Sequence, residues 1–303
     1  MIHVVHAGNR SLYAKELDQM FRLRAKFFKE ILGWAALTVI DGREVDDYDD
    51  EQAIYLLALE ADGQLSVSVR LRPTLDKSLL LDRFPHLLAD DPHSVARPDV
   101  WESCRYFASS RARGPEGARR REELRMAMVE LAHARSVRRI VAITDMVFLP
   151  PLVQNSWTTR LLGLPAAYDE GECIALEIAC DEDALLRVRE RYGAAGEVLL
   201  DLDPVAAPAN LPPHQIEAMM AREAAALSES ERREIARLAR ELSPQDARVI
   251  AKMISRISTI QQNEGEGAAL AAIARLHKAL LSADKDSTVG RPTPGDGGGV
   301  ARH

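Results

Sequence analysis

The chain has 303 residues, 47% of them hydrophobic and 28% charged, with 39 Lys+Arg against 46 Asp+Glu and a formal charge of −7. That composition excludes collagen-like, wholly disordered and disulfide-scaffold classes, and no apolar run approaches the ~20 residues needed to cross a bilayer. Residues 1–204 carry 26 basic and 34 acidic side chains and residues 205–303 carry 13 and 12, so the acidic body argues against general nucleic-acid binding and is compatible with a cationic small substrate.

The opening MIHVVHAGNR has no basic stretch followed by a long apolar one, so no signal peptide is expected. Residues 12–32 predict an amphipathic helix, capped by Ser11 and ended by Gly33, with Leu17, Met20, Phe21, Arg24, Phe28, Ile31 and Leu32 at three- and four-residue steps. Trp34 to Asp50 is too polar for a core element and reads as a long ordered loop. Ala53–Ala61 and Leu65–Leu71 predict a hairpin turning at Asp62-Gly63. Irregular chain follows to Pro98, anchored by Leu79, Leu80, Leu81 and Phe84.

A strand is expected at Val100–Ala108, then a turn over Gly114–Gly117 and a helix over Ala118–Ser136 with Leu124, Met128, Leu131 and Ala132 inward. Ile140–Thr144 predicts a buried strand. A short helix is expected around Leu152–Leu161, after a break at Pro150-Pro151. Cys173–Ala179 predicts a strand and Glu182–Tyr192 a helix. The succession implies an α/β domain with a mixed sheet and helices on its faces.

Composition shifts near Pro204, where VAAPANLPP reads as a linker. The expected division is a body over 1–204, a linker over 205–227, an all-helical extension over 228–283 and a disordered tail over 284–303. In the extension, Ser228 and Glu231 form a capping box before Ile235, Leu238 and Leu242. Ser243-Pro244 starts a second helix carrying Val249, Ile250, Met253, Ile254 and Ile257, and Ala268–Leu281 is a third. Their apolar stripes need a partner: each other, the body, or a second copy through self-association.

Motif searching is mostly negative. The sequence contains no dinucleotide or P-loop glycine pattern, no HExxH and no GxSxG, and its eight histidines lack paired spacing. No metal site is expected. The cysteines, Cys104, Cys173 and Cys180, are odd in number and suit a reducing cytoplasm. What stands out is charge inside structured places: Arg24 on the apolar face of the first helix, the acidic run Glu44-Val-Asp46-Asp-Tyr48-Asp49, Arg70 in a hairpin strand, and Glu102 and Arg105 in VWESCRYF. Three positions apart, Glu102 and Arg105 point to opposite faces of a regular strand, so a shared cleft requires a β-bulge between them. Such charges are either ordinary surface ion pairs or the buried, paired kind that marks a site.

In order along the chain, Arg24-x3-Phe28-x5-Trp34, Glu44-x-Asp46-x-Tyr48-Asp49, Arg70-Leu71-x-Pro73-Thr74, Phe84-Pro85 and Trp101-Glu102-x-x-Arg105-Tyr106-Phe107 resemble the signature of the acyl-homoserine-lactone (autoinducer) synthase family. The likeness continues through Ile143-Thr144-Asp145 and Leu162-Gly163, covering about residues 1–204. Departures are Val67, where the family usually has glycine, and Cys104, where serine is common. The resemblance implies a fold similar to the GNAT N-acetyltransferases and a transferase reaction that makes a quorum-sensing signal in the cytoplasm. S-adenosylmethionine enters as a substrate, with no cofactor, and acyl carrier protein or coenzyme A supplies a thioester. The amine is acylated, the methionine carboxylate closes onto its own γ-carbon, and methylthioadenosine leaves.

For the residues, the resemblance implies Glu102 as general base, directly or through a water, with partnership to Arg105 as its alternative role. Asp46 and Asp49 would hold the amine and sulfonium charges. Arg24 and Arg105 would pair with those acids, one of them also meeting the substrate carboxylate, and Arg70 would belong to the same network. Trp34 would cover the sulfonium or adenine, or else plug the helix end. Phe28 is a substrate-side or core residue. Main-chain N–H groups near Phe107 or Ala108 would stabilise the thioester oxyanion, and Thr144 matches a position linked to tolerance of a 3-oxo group. The basic run at Arg119, Arg120 and Arg121 reads as a dock for the carrier protein and its phosphopantetheine arm, or as a solvated helix face. The alternatives to a synthase are a GNAT-like N-acyltransferase for another amine, and a non-catalytic regulatory protein working through its C-terminal helices. No nucleic-acid or membrane partner is expected.

Overall fold

The computed structural model describes residues 1–201 except 61, 155, 156 and 194–197, together with 229, 233, 265, 267, 270, 271, 273 and 274. Its strands are β1 (Ile2–Val5), β2 (Val39–Ile40), β3 (Arg43–Glu44), β4 (Ile54–Leu59), β5 (Leu65–Pro73), β6 (Val100–Ala108), β7 (Arg139–Asp145), β8 (Thr159–Leu161), β9 (Ala166–Tyr168), β10 (Gly171–Ala179) and β11 (Leu199–Asp201). The α-helices are α1 (Ala14–Arg24), α2 (Leu79–Arg83), α3 (Gly114–Ala134), α4 (Leu149–Val153) and α5 (Glu182–Tyr192). The main sheet runs β11-β1-β4-β5-β6-β7-β10-β8, with β9 beside β10. Among the described residues only β1/β11 and β6/β7 pair in parallel. This is the mixed sheet the element order implied.

Both faces of the central strands are covered. On one side α1 and the π-helix Ala25–Ile31 that continues it pack Met20 and Phe28 onto Tyr55, Leu57 and Phe107. On the other, α3 and α5 pack Leu124, Met128, Ala132 and Val188 onto Leu56, Val69 and Ile178. A smaller cluster joins Leu80 and Leu87 to Val141 and Ala175 beside β10.

Local details depart from expectation for identifiable reasons. Ser11 is not a cap, because the chain enters the helix through a 3-10 turn over Arg10–Tyr13 and the N-cap is Tyr13. The π-turn breaks the 3.6 period, so Ile31 faces solvent at 64% exposure while Phe28 stays buried. Gly33 does end the helix, at φ 76°, with the Trp34 N–H on the Phe28 carbonyl. The expected turn at Gly114–Gly117 is the first turn of α3, which Pro115 suits because an N1/N2 residue needs no N–H partner. For the same reason Pro150 and Pro151 open α4 rather than break it, and 159–161 is an edge strand, not helix. The short strands β1, β9 and β11 carried too little pattern to be read from sequence.

Of the extension, the capping box, the second helix, the linker and the tail lie outside the described residues. Within the third expected helix, 270, 271, 273 and 274 are helical. Ile273 is 1% exposed and joins Met1, Val5, Leu12 and Leu17 in one cluster, with Leu270 against it. That part of the extension packs on the body.

Candidate active site

The required bulge is present. β5 and β6 pair Arg70 with Cys104 and then Ser68 with Phe107, so Val69 alone faces Arg105 and Tyr106. Arg105 absorbs the extra residue at φ 56°, a left-handed conformation uncommon outside glycine. As a result Glu102 and Arg105 line the same cleft, of about 630 Å³. Just before the bulge β6 and β7 separate. Their ladder ends at Ser103 and Ala142, while β6 runs on to Ala108 and β7 to Asp145. A wedge of unpaired main chain therefore opens beside the cleft.

Glu102 is 2% exposed and does not pair with Arg105. Its carboxylate accepts from the Leu79 and Leu80 amides at 2.8 and 2.7 Å and from the Ser78 hydroxyl at 3.2 Å, closing the N-terminus of α2. The alternative role as a partner to Arg105 is thereby overturned: its partners are the free N–H groups of a helix the sequence did not announce. Burial pushes the carboxyl above its ordinary value, against the pull of those amides and the Ser78 hydroxyl. A carboxylate so raised suits proton abstraction nearer neutrality.

Three arginines and three acids interlock behind it. Arg24 meets Glu44 at 2.5 Å and grips Asp49 at 2.8 and 3.0 Å. Arg70 holds Asp46 at 2.5 and 3.0 Å and Asp49 at 2.7 Å. Arg105 meets Glu44 and Asp46, each at 2.9 Å. Tyr55 donates to Asp49 at 3.0 Å. Burial pushes Asp49 upward, but the charges of Arg24 and Arg70 more than reverse this and hold its carboxyl well below the usual range. The network balances charge for charge, which is what buried ions require.

Trp34, Asp46, Glu102, Arg105 and Thr144 line the cleft. Asp49, Arg24, Arg70, Phe28 and Phe107 do not. The Asp49 side chain is fully buried, Arg24 and Arg70 are each 1% exposed, and Phe28 and Phe107 pack in the core. Asp49, expected to meet substrate charge, has its oxygens taken by Arg24, Arg70, Tyr55 and the Asp46 amide. Phe28 stacks on Trp34 with centroids 4.9 Å apart, so it positions the ring that reaches the cleft.

The basic run also divides. Arg120, expected at a docking surface, is buried and bound to Glu60, Glu116 and Glu123. Arg119 is exposed but paired with Glu116 and Glu123. Arg121 donates to the Ala112 carbonyl at 2.5 Å.

Residues not singled out as site residues complete the cleft. Asp145 accepts from the Tyr168 hydroxyl, and both line it together with Asp47, Glu170, Arg83 and Cys104. Lining acids therefore outnumber lining bases, Glu44, Asp46, Asp47, Glu102, Asp145 and Glu170 against Arg83 and Arg105. A cationic ligand is favoured there. Cys104, the departure from serine, receives the Arg70 Nε at 3.2 Å, as a hydroxyl would. Among the described residues no group of three or more His, Cys, Asp or Glu is placed to hold a metal, and no helix is long and apolar enough to cross a membrane.

Comparison with known proteins gives a consistent picture. The family model described as autoinducer synthase matches residues 9–188. An isovaleryl-homoserine lactone synthase of Bradyrhizobium diazoefficiens is 36% identical over 209 residues, 68% of this chain and 93% of that protein. An acyl-homoserine-lactone synthase of Ralstonia nicotianae is 35% identical over 144 residues, 46% of this chain and 70% of its own. Among solved structures, the CoA-dependent synthase BjaI with SAM and isopentyl-CoA superposes with a TM-score of 0.61 at 33% identity, covering 66% of this chain and 92% of that one. TofI, in a ternary complex with an inhibitor and MTA, gives a TM-score of 0.53 at 28% identity over 62% of this chain and 96% of its own.

Proposed function

The chain belongs to the autoinducer synthase family, and we propose that it is an acyl-homoserine-lactone synthase acting on S-adenosylmethionine and an acyl thioester in the cleft between α2, the acidic loop and β6. The observation that carries this reading is the bulge at Arg105, which turns a buried carboxylate and a guanidinium into one acid-lined cavity beside an open strand edge.

S-adenosylmethionine brings two cationic centres and a carboxylate. The lining acids suit the first two, Asp46 foremost among the predicted ones because it keeps some exposure beside its arginines. Arg105 suits the carboxylate, and Trp34, steadied by Phe28, offers a face to the sulfonium or adenine. Glu102 takes the ammonium proton, directly or through one water. The freed amine attacks the thioester carbonyl, and the developing oxyanion meets main-chain N–H groups in the wedge near Phe107 and Ala108. Collapse of the tetrahedral intermediate expels the thiolate, which takes up the second proton lost by the nitrogen, and leaves the acyl amide, while the proton on Glu102 passes to solvent. The methionine carboxylate then displaces the sulfonium from the γ-carbon, closing the lactone and releasing methylthioadenosine. Arg24, Arg70 and Asp49 hold Glu44, Asp46 and Arg105 in place rather than touch substrate. Thr144 offers a hydroxyl to an oxo group on the acyl chain.

The body, 1–204, contains all these residues, and the extension supports it from the α1 side. The acyl donor is a carrier-bound or coenzyme A thioester, as in the CoA-dependent relatives. Mass spectrometry of spent medium from expressing cells tests the reading: an N-acyl-homoserine lactone, with methylthioadenosine formed in equal amount by the purified protein, is expected. An acylated amine without methylthioadenosine would point to an N-acyltransferase of another kind. Soluble protein inactive with every thioester would remove the enzyme reading.

A further inference from the structure

Asp145 ends β7 with an oxygen to spare. It stands where the 3-10 turn Met146–Phe148 begins, yet its side chain makes no cap bond to that turn. One carboxylate oxygen instead takes the Tyr168 hydroxyl, and the other has no hydrogen-bond partner among the described residues. No Lys, Arg or His among them forms an ion pair with Asp145 either. The acids nearer the bulge differ: Glu44 and Asp46 are held by arginines, and Glu102 by helix amides. Burial, and then the Asp145 carboxylate, push the Tyr168 hydroxyl above its ordinary value, so it stays a donor. Asp145 therefore keeps an acceptor for whatever enters the cleft it lines.

Position along the sheet decides which part of a ligand meets it. Glu102 lies beside Val141 in the parallel ladder, and Asp145 follows Val141 on the same face of β7. At about 3.3 Å per residue it stands roughly 13 Å further along the strand than the base. Cys104 and Ile143 line the space between. In S-adenosylmethionine held with its amine at Glu102, the sulfonium, a short chain away, falls well short of that point. The ribose and adenine beyond it do not. The ribose carries two vicinal hydroxyls, neutral donors of the kind that carboxylates elsewhere hold in nucleotides. The Ala35 N–H donates to Glu170 at 2.8 Å, which fastens the Trp34 loop to the β9–β10 turn that carries Tyr168. An aromatic ring and a carboxylate acceptor thus share one end of the cleft, the pair of features that a purine nucleoside calls for.

We propose that Asp145, aimed by Tyr168, accepts the ribose hydroxyls of S-adenosylmethionine and makes this end of the cleft the seat of its adenosine half. The proposal rests on the synthase reading for its ligand, and it gives Asp145 a role in selecting the nucleoside, apart from the acids that meet the amine.

Methylthioadenosine keeps the adenosine half and lacks the amine and carboxylate, so its binding reads this end of the cleft alone. Equilibrium titration of the full chain with it, and with its dideoxy analogue lacking both ribose hydroxyls, tests the seat without requiring turnover. Wild type is expected to bind methylthioadenosine about tenfold or more tightly than the analogue. Asp145→Ala erases the difference, Tyr168→Phe shrinks it, and Asp145→Asn restores part of it. In turnover, Asp145→Ala raises KM for S-adenosylmethionine and leaves KM for the acyl donor unchanged. Equal wild-type binding of the two nucleosides overturns the seat, as does a preference that survives in Asp145→Ala. Should Asp145→Ala not fold, a preference undiminished in both Tyr168→Phe and Asp145→Asn overturns it. Failure of the synthase reading looks different: no lactone from any thioester, whatever the titration shows.

Discussion

Replacing Asp49 by asparagine separates the sequence expectation from the structure. The sequence offered Asp49 as a holder of substrate charge, whereas the folded protein places it behind the cleft as the hub of an ion network. Its Oδ1 lies 2.8 Å from Arg24 and 2.7 Å from Arg70 and accepts from Tyr55 at 3.0 Å, while its Oδ2 takes Arg24 at 3.0 Å and the Asp46 amide at 2.9 Å. An amide there turns one acceptor into a donor facing a guanidinium. Three buried arginines are then left against two acids. Breaking a buried pair in this way costs about 3–5 kcal/mol. For a body of this size each kcal/mol moves Tm by roughly 2–4 °C, so a fall of about 6–20 °C is expected by scanning calorimetry. The effect has a pH signature. The folded Asp49 carboxyl is depressed below its unfolded value, so its contribution is complete above the ordinary carboxylate range and is lost as pH falls beneath it. The Tm gap between wild type and Asp49→Asn should therefore narrow on acidification. Measured well below Tm, KM for S-adenosylmethionine should change little. An unshifted Tm with a large rise in that KM would refute the reasoning and return Asp49 to the substrate.

Glu102→Gln should cut turnover by about 10²- to 10⁴-fold and also lower Tm, because the side chain caps α2; full activity would remove Glu102 as base. In wild type the acid limb of kcat/KM should fall above the ordinary carboxylate range, since burial raises Glu102 and the base must be ionised to act; a limb near pH 4 argues against it. Arg120→Ala should destabilise the protein while Arg119→Ala leaves Tm nearly unchanged, read by urea unfolding, because Arg120 alone is buried among its acids. Ile273→Ala should cost about 2–5 kcal/mol of the extension's docking; unchanged protection of the Leu12–Leu17 amides from hydrogen exchange would show that the contact is dispensable.

The fold class was legible because the strong elements are patterned locally. Val100–Ala108 and Glu182–Tyr192 have the bounds expected of them, and the hairpin at Gly63 follows from one residue's freedom at φ 75°. Strands of three or four residues such as β1 and β11 form only because a neighbour supplies their ladder, so no local signal announces them. The π-turn after Arg24 was equally invisible, since it conserves composition while shifting which side chains face inward.

The sequence by itself also determined the inventory of the site: which acids and arginines exist, their order, and the need for a bulge if Glu102 and Arg105 were to share a cleft. Tertiary structure alone decided how the charges divide. Asp46 and Asp49, three residues apart in one loop, differ because only Asp49 is enclosed by Arg24, Arg70 and Tyr55 from three separate elements. Glu102 turned out to cap α2 for the same reason. Whether a charge faces substrate or another side chain depends on what distant segments bring against it, and pairwise distance, not spacing along the chain, sets that energy.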